Sequence, residues 1–161
     1  MNSEPRGRVQ VASILKASIV AGLIAGTIDI GAACTINQVG PIPILRFISS
    51  GLLGAPLPHE PWVYCLGMIL QWLMSILIAV IFMVAAARTP ALLRNWMASG
   101  IAYGVAVYFV MTFVVVPLSR ARAGHITMAS FVQNLLAMIL FGLIVAYTAR
   151  RMLPKHFPAR A

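Results

Sequence analysis

An aspartate lies in the middle of the apolar stretch "AGLIAGTIDIGAAC", residues 21–34. The chain has three acidic residues, Glu4, Asp29 and Glu60, and only Asp29 has long apolar sequence on both sides. A carboxylate within a membrane span is costly to remove from water, and it marks a candidate functional site. Asp29 therefore offers two kinds of chemistry: a proton or cation site on a transport path, or a polar contact that joins helices.

The partners that the sequence offers Asp29 are neutral. No Lys or Arg occurs at its depth in any long apolar segment, so we expect no ion pair within one chain. The candidate hydrogen-bonding partners are Thr27 on the same helix and three amides, Gln71, Gln133 and Asn134. Hydroxyl and amide groups both donate and accept hydrogen bonds, so each can hold a carboxyl group between helices.

Two glycine pairs indicate close helix packing. Gly22-x-x-x-Gly26 and Gly100-x-x-x-Gly104 are small-xxx-small motifs, which let helix backbones approach closely in lipid. Asp29 falls at helical spacing on the same face as Gly22 and Gly26. Since a carboxylate is penalised in lipid, we expect this face to point at other helices or at a water-filled cavity.

Other residues with chemical potential give weak signals. His59, Glu60 and His125 are the candidate metal ligands, but the two histidines lack helical spacing, so solvated loop residues are the favoured interpretation. Cys34 and Cys65 form no CxxC motif and are interpreted as structural thiols. With no nucleophile–base pair either, we expect no enzyme activity, no cofactor and no metal.

The composition defines the elements that must position these residues. The chain has 161 residues, of which 61% are hydrophobic and 9% charged, whereas soluble domains carry about 25% charged residues. Four apolar stretches are long enough to cross a bilayer: 17–38, 62–87, 97–118 and 127–149. They predict an all-α integral membrane protein, a single four-helix transmembrane domain over 1–161 with tails 1–16 and 150–161. On the second span we expect Ala79 to face lipid.

The basic residues predict the orientation. Nine of the twelve Lys and Arg residues lie before the first span, between the second and third, or after the fourth. By the positive-inside rule, both termini are then cytoplasmic. The net charge of +9 is explained by this rule, so the bilayer and not nucleic acid is the expected partner.

A proline- and glycine-rich segment separates the first two spans. "PIPILRFISSGLLGAP", residues 41–56, places two sets of residues on different faces of a helix: Arg46, Ser49 and Ser50 on one, and Leu45, Ile48 and Leu52 on the other. This pattern favours a short helix at the membrane interface. The alternative is a re-entrant segment that dips towards Asp29 and is shielded from lipid.

The two halves of the chain resemble each other. "GLIAGTIDI" (22–30) aligns with "GIAYGVAVY" (100–108), with both glycine pairs in register. "QWLMSILIAVIFMVAAAR" (71–88) aligns with "QNLLAMILFGLIVAYTAR" (133–150). This similarity predicts two repeated helical hairpins.

Three stretches, "AGLIAGTIDIGAAC", "PILRFISSGLLG" and "VYFVMTFVVVPLS", carry a resemblance over about two thirds of the chain. They resemble a family of small, uncharacterised bacterial inner-membrane proteins with four predicted spans. The resemblance implies the bacterial cytoplasmic membrane as location and brings no activity. It also implies a histidine at position 71 and an asparagine at position 112, where this chain has Gln71 and Thr112, so an Asp–His proton pair is not expected.

Two functions are compatible with these patterns. The leading hypothesis is a non-enzymatic membrane module that acts by helix association, as a homo-oligomer or with another membrane protein. The alternative is a small transporter or channel that uses Asp29 as its proton or cation site, by analogy with four-span drug/proton exchangers that carry a lone carboxylate in span one. A water-accessible cavity that reaches Asp29 would favour the alternative.

Overall fold

The computed structural model describes residues 4–121 and 127–153. Its secondary structure over these residues is helical, and the helices are α1 (Glu4–Asn37), α2 (Pro41–Leu53), α3 (Pro61–Arg88), α4 (Pro90–Arg94), α5 (Trp96–Val110), α6 (Val116–Leu118) and α7 (Met128–Met152). A π-helical turn, Met111–Val115, joins α5 to α6, so the third span is one interrupted helix.

Four segments are long and apolar enough to cross a bilayer, and the predicted four-span bundle is confirmed. The chain is an α-helical multi-pass membrane protein. The third span covers Trp96–Leu118, and α3 extends one residue beyond the predicted span at each end. By contrast, α1 begins at Glu4, well before the predicted span start at residue 17. A helix does not end where its hydrophobicity ends: the apolar span begins at Val11, and the helix extends beyond it into the polar tail.

Local sequence signals account for the helix starts. Proline occupies the first turn of α2, α3 and α4, where its missing N–H removes no helical hydrogen bond. At the start of α7, Thr127 and Ser130 cap each other: the Ser130 backbone N–H donates to the Thr127 hydroxyl, and the Thr127 N–H donates to the Ser130 hydroxyl. These caps satisfy N–H groups that have no partner within the helix.

The core lies at the end of the bundle where α3 ends and α4 begins. Its alanines and larger side chains come from α1, α3 and α7: Ala17, Ala21, Ala25, Ala79, Phe82, Met83, Ala86, Phe141, Val145, Ala146, Ala149 and Leu153. The Phe82 and Tyr103 rings lie 5.0 Å apart, and the Tyr103 hydroxyl donates to the Ile78 carbonyl, which joins α3 to α5. Arg88, Arg94, Arg150 and Arg151 lie at this end, which we call the basic end.

The expectation that Ala79 faces lipid is wrong. Ala79 is fully buried in the core. Ile69, Leu73, Leu77 and Ile81 of α3 are all exposed; they recur every four residues and therefore lie on one face. Hydropathy does not distinguish the two faces of α3, because almost every residue on it is apolar.

The two glycine pairs pack inside the chain. Gly22 faces the backbone of Ile76 on α3, and Gly104 faces the backbone of Met138 and Ile139 on α7. In each hairpin the first helix thus uses glycines to approach the second. The two hairpins differ in register. Ile76 aligns with Met138 in sequence, but Ile76 faces Gly22, the first glycine of its pair, whereas Met138 faces Gly104, the second glycine of its pair.

The short helix α2 packs beside the first two turns of α3. The Ser49 hydroxyl donates to the Val63 carbonyl over 2.7 Å, and the backbone of Leu45 contacts Gly67 so closely that a Cβ there would collide with it. Leu45, Ser49 and Ser50 are buried. A short helix between the first two spans is confirmed, but the predicted division of its faces is wrong, because the serines pack inwards together with Leu45.

Candidate functional site

A cavity opens at the end of the bundle opposite the basic end. Its volume is about 650 Å³, within the usual range for small-molecule sites. Its walls come from α1, α2, α3, the π-helical turn and α7, and Asp29 is among its lining residues. The bundle is therefore packed at one end and hollow at the other, with the carboxylate in the hollow part.

Gln71 on α3 holds the Asp29 carboxylate. The Gln71 amide nitrogen donates to Asp29 Oδ2 over 2.8 Å and lies 3.4 Å from the carbonyl oxygen of Gly26. The contact depends on the close approach of α1 and α3, since a Cβ on Gly26 would lie 2.5 Å from the Ser75 hydroxyl oxygen. The glycine of the packing motif thus brings the amide within reach of the carboxylate.

Two asparagines add polar groups to the cavity. Asn37 on α1 donates its amide to the Ala33 carbonyl over 2.8 Å, and Asn134 on α7 donates to the Ser130 carbonyl over 2.7 Å. Their side-chain oxygens are hydrogen-bond acceptors. Among the described lining residues there is no Lys, Arg or His, so the fixed charge of the cavity is the negative charge that Asp29 carries when ionised.

The rest of the lining is mainly apolar. Ile30 and Ile36 come from α1, Ile44, Phe47 and Ile48 from α2, and Met111 from the π-helical turn. Single π-helical turns occur frequently at functional sites. Neither the α2 residues nor Met111 is recognisable as part of the site from the polar residues of the sequence. One sequence-based alternative does bring α2 to the site, the re-entrant segment over residues 41–56 that dips towards Asp29. Nothing in the sequence predicts the π-helical turn.

The structure brings together three of the five residues that the sequence proposes for a polar site. Asp29, Gln71 and Asn134 line the cavity. Gln133 is exposed and does not line it. Thr27 is also exposed, and its hydroxyl accepts a hydrogen bond from the Trp72 indole over 3.2 Å, so it joins α1 to α3 on the outside of the cavity.

The glycines proposed for helix packing are all buried against other helices of the chain, and the structure adds two glycines to them. Gly142 on α7 faces Gly100 and Gly104, and Gly67 on α3 faces Leu45. Gly142 forms a small-xxx-small pair with Ala146, which is the signal that could have found it, whereas Gly67 has no small residue four positions away.

The candidate metal ligands do not form a cluster in the part of the chain described. The Nε2 atom of His59 lies 2.8 Å from a guanidinium nitrogen of Arg46. His125 lies outside the described residues. Over residues 4–121 and 127–153, no group of three or more His, Cys, Asp or Glu side chains is placed to hold a metal ion. Cys34 and Cys65 are free thiols.

Comparisons with known protein families, with curated proteins and with solved structures found no match.

Proposed function

We propose that this protein is a small transporter or channel, not an enzyme, in which Asp29 handles a proton or a monovalent cation. The observation that carries the proposal is the cavity of about 650 Å³ with Asp29 in its lining. A carboxyl group that only joins helices needs a partner and no open space beside it. Asp29 has a partner and also open space beside it, because Gln71 contacts one carboxylate oxygen while the cavity gives access to the group.

The packing of the glycines supports this proposal over the association hypothesis. A module that associates with other chains through small-xxx-small motifs has to present them at its surface. Here Gly22, Gly26, Gly100 and Gly104 are buried against helices of the same chain. The glycines therefore account for the fold of one chain, and association with a second copy or another membrane protein needs a different surface.

The distribution of charge supports an orientation in a bacterial cytoplasmic membrane with both termini in the cytoplasm. The described arginines of the basic end belong to α3, α4 and α7, and basic residues favour the cytoplasmic side. The Arg150 guanidinium lies 5.8 Å from the centre of the Trp96 ring, and aromatic side chains of this kind favour the interface. The cavity then opens on the opposite, outer side.

Reporter fusions test this orientation. Fusions after Ala161 and within 90–95 are expected to report cytoplasm, whereas fusions within 55–60 and 121–125 are expected to report the outer side. A cytoplasmic signal from both of the latter sites would contradict the four-span topology, and a full inversion of all four signals would contradict the orientation.

Transport is tested with the carboxylate removed. We expect wild-type protein in vesicles that contain a pH-sensitive dye to move protons when a gradient of Na⁺, K⁺ or tetraphenylphosphonium is imposed. Asp29→Asn is expected to abolish this movement, because an amide is similar in shape to the carboxyl group but carries no titratable proton. The measurement is the initial rate of dye response at equal protein content.

Glu60→Gln is the matched control, since it makes the same chemical change at an exposed residue outside the cavity. It is expected to transport like wild type. Equal rates for wild type and Asp29→Asn would overturn the proposal, as would a loss of the same size in Glu60→Gln.

A further inference from the structure

We infer that the Asp29 cavity takes a monovalent organic cation with an apolar body, which binds with its charge at Asp29 and its apolar part against Phe47 of α2. This inference rests on the proposed function and names the substrate class of the same site.

The polar groups that line the cavity are too few to hold a metal ion. Hard cations such as Ca²⁺ bind six or more oxygens that converge on one point. Of the fifteen lining residues that the structure describes, four are polar, Asp29, Gln71, Asn37 and Asn134, and the others are apolar except for their backbone groups. The Gln71 amide is turned so that its nitrogen, not its oxygen, faces Asp29. A bare metal ion would thus exchange a full hydration shell for few ligands.

The volume and the walls argue for an organic molecule. A space of about 650 Å³ is far larger than one dehydrated ion needs, and it matches the size range of sites for organic ligands. Isoleucine and phenylalanine side chains of α1 and α2 give these walls their apolar surface. Contact between apolar walls and an apolar body is favourable, because it removes the apolar surface of both from water.

The charge argues for a single positive centre. Asp29 is the only acidic residue among the described lining residues, and no basic residue there competes for it. One carboxylate balances one positive charge. A second charge on the ligand would lie among apolar side chains without a charged partner, which is unfavourable.

Phe47 is placed to contact the apolar part of the ligand. It lines the cavity from α2, and the residue is 44% exposed, so the rest of the chain does not cover its side chain. An aromatic face attracts organic cations as well as apolar groups. The position of Phe47 depends on α2, which the Ser49–Val63 hydrogen bond and the close Leu45–Gly67 contact hold against α3.

The test is equilibrium binding to the full-length protein in detergent, with tetraphenylphosphonium as the probe cation. Wild type is expected to bind one probe per cavity. Asp29→Asn is expected to bind it more than about thirtyfold more weakly, and Phe47→Ala about tenfold more weakly. Phe113→Ala is the matched control and is expected to bind like wild type, because Phe113 is exposed and does not line the cavity.

A neutral compound and a small ion complete the experiment. Triphenylphosphine oxide, which is similar in shape but uncharged, is expected to bind weakly and without dependence on Asp29. Equal affinity for tetraphenylphosphonium and triphenylphosphine oxide would overturn the inference, as would equal losses in Phe47→Ala and Phe113→Ala. If Na⁺ alone binds and the binding requires Asp29, the inference fails while the proposed function stands. If no probe depends on Asp29, both fail.

Discussion

Gly104→Leu is expected to prevent α5 from packing on α7, and Gly104→Ala to destabilise the folded protein by about 1–3 kcal/mol. A Cβ at this position would lie against the Met138 carbonyl oxygen and 2.7 Å from the Ile139 Cα. Both atoms belong to the backbone of α7, so no side-chain rotation relieves the collision. The helices have to move apart, and the close contact between Gly142 and the backbone of Gly100 and Gly104 is lost with them.

Gly31 provides the control on α1. It is exposed, and a Cβ added there meets nothing within 4 Å. Gly31→Ala is expected to leave stability unchanged or to raise it by up to about 1 kcal/mol, because alanine favours the helix. The measurement is the midpoint of unfolding in detergent, followed by circular dichroism. Equal midpoints for Gly104→Ala and Gly31→Ala would contradict the packing described here.

The spans, and Asp29 and Gln71 as candidates for a polar site, can be read from the sequence for one reason: both depend on residue type. A stretch of about 20 apolar residues has few ways to exist outside a bilayer, and a carboxylate within it cannot face lipid cheaply. Asp29 and Gln71 are therefore recognisable as candidates before any fold is known. Their pairing follows from the fold, since Gln133 is an equally good amide by sequence and ends up exposed.

What the sequence does not predict is rotation and register. On α3 nearly all residues are apolar, so the side that packs is chosen by shape, and small Ala79 is buried while Leu77 is exposed. The rotation of α2 is not predicted either: Ser49 faces α3, where its hydroxyl donates a hydrogen bond to the Val63 carbonyl. In a membrane protein apolarity does not mean burial in the protein, because lipid is as apolar as the core.

The pairing of Asp29 with an amide has a consequence for binding. A basic partner would neutralise the carboxylate permanently and occupy the space beside it. The Gln71 amide instead orients one oxygen by a 2.8 Å hydrogen bond and brings no charge. The negative charge of Asp29 is thus neutralised only by a mobile ligand, a proton or a cation.

Gln71→Lys is expected to abolish cation binding and transport while the protein still folds. A lysine ammonium group is one bond further along the side chain than the glutamine amide nitrogen, so it can lie beside Asp29 and form an ion pair in the cavity. The built-in ammonium then competes with any mobile cation. We expect tetraphenylphosphonium to bind more than about thirtyfold more weakly than to wild type, and the proton movement to disappear. The melting midpoint is expected to be equal to that of wild type or higher.

Gln133→Lys is the matched control, because it makes the same substitution at the amide that aligns with Gln71 in sequence but lies outside the cavity. Position 133 is near the start of α7, so a lysine there can extend its ammonium group to the membrane surface. It is expected to bind and transport like wild type. A Gln71→Lys protein that folds and still binds the probe with wild-type affinity would show that the carboxylate is not the charge that the ligand meets. If both lysine variants lost binding equally, added positive charge in general would be responsible, and the specific role of the Asp29–Gln71 pair would be wrong.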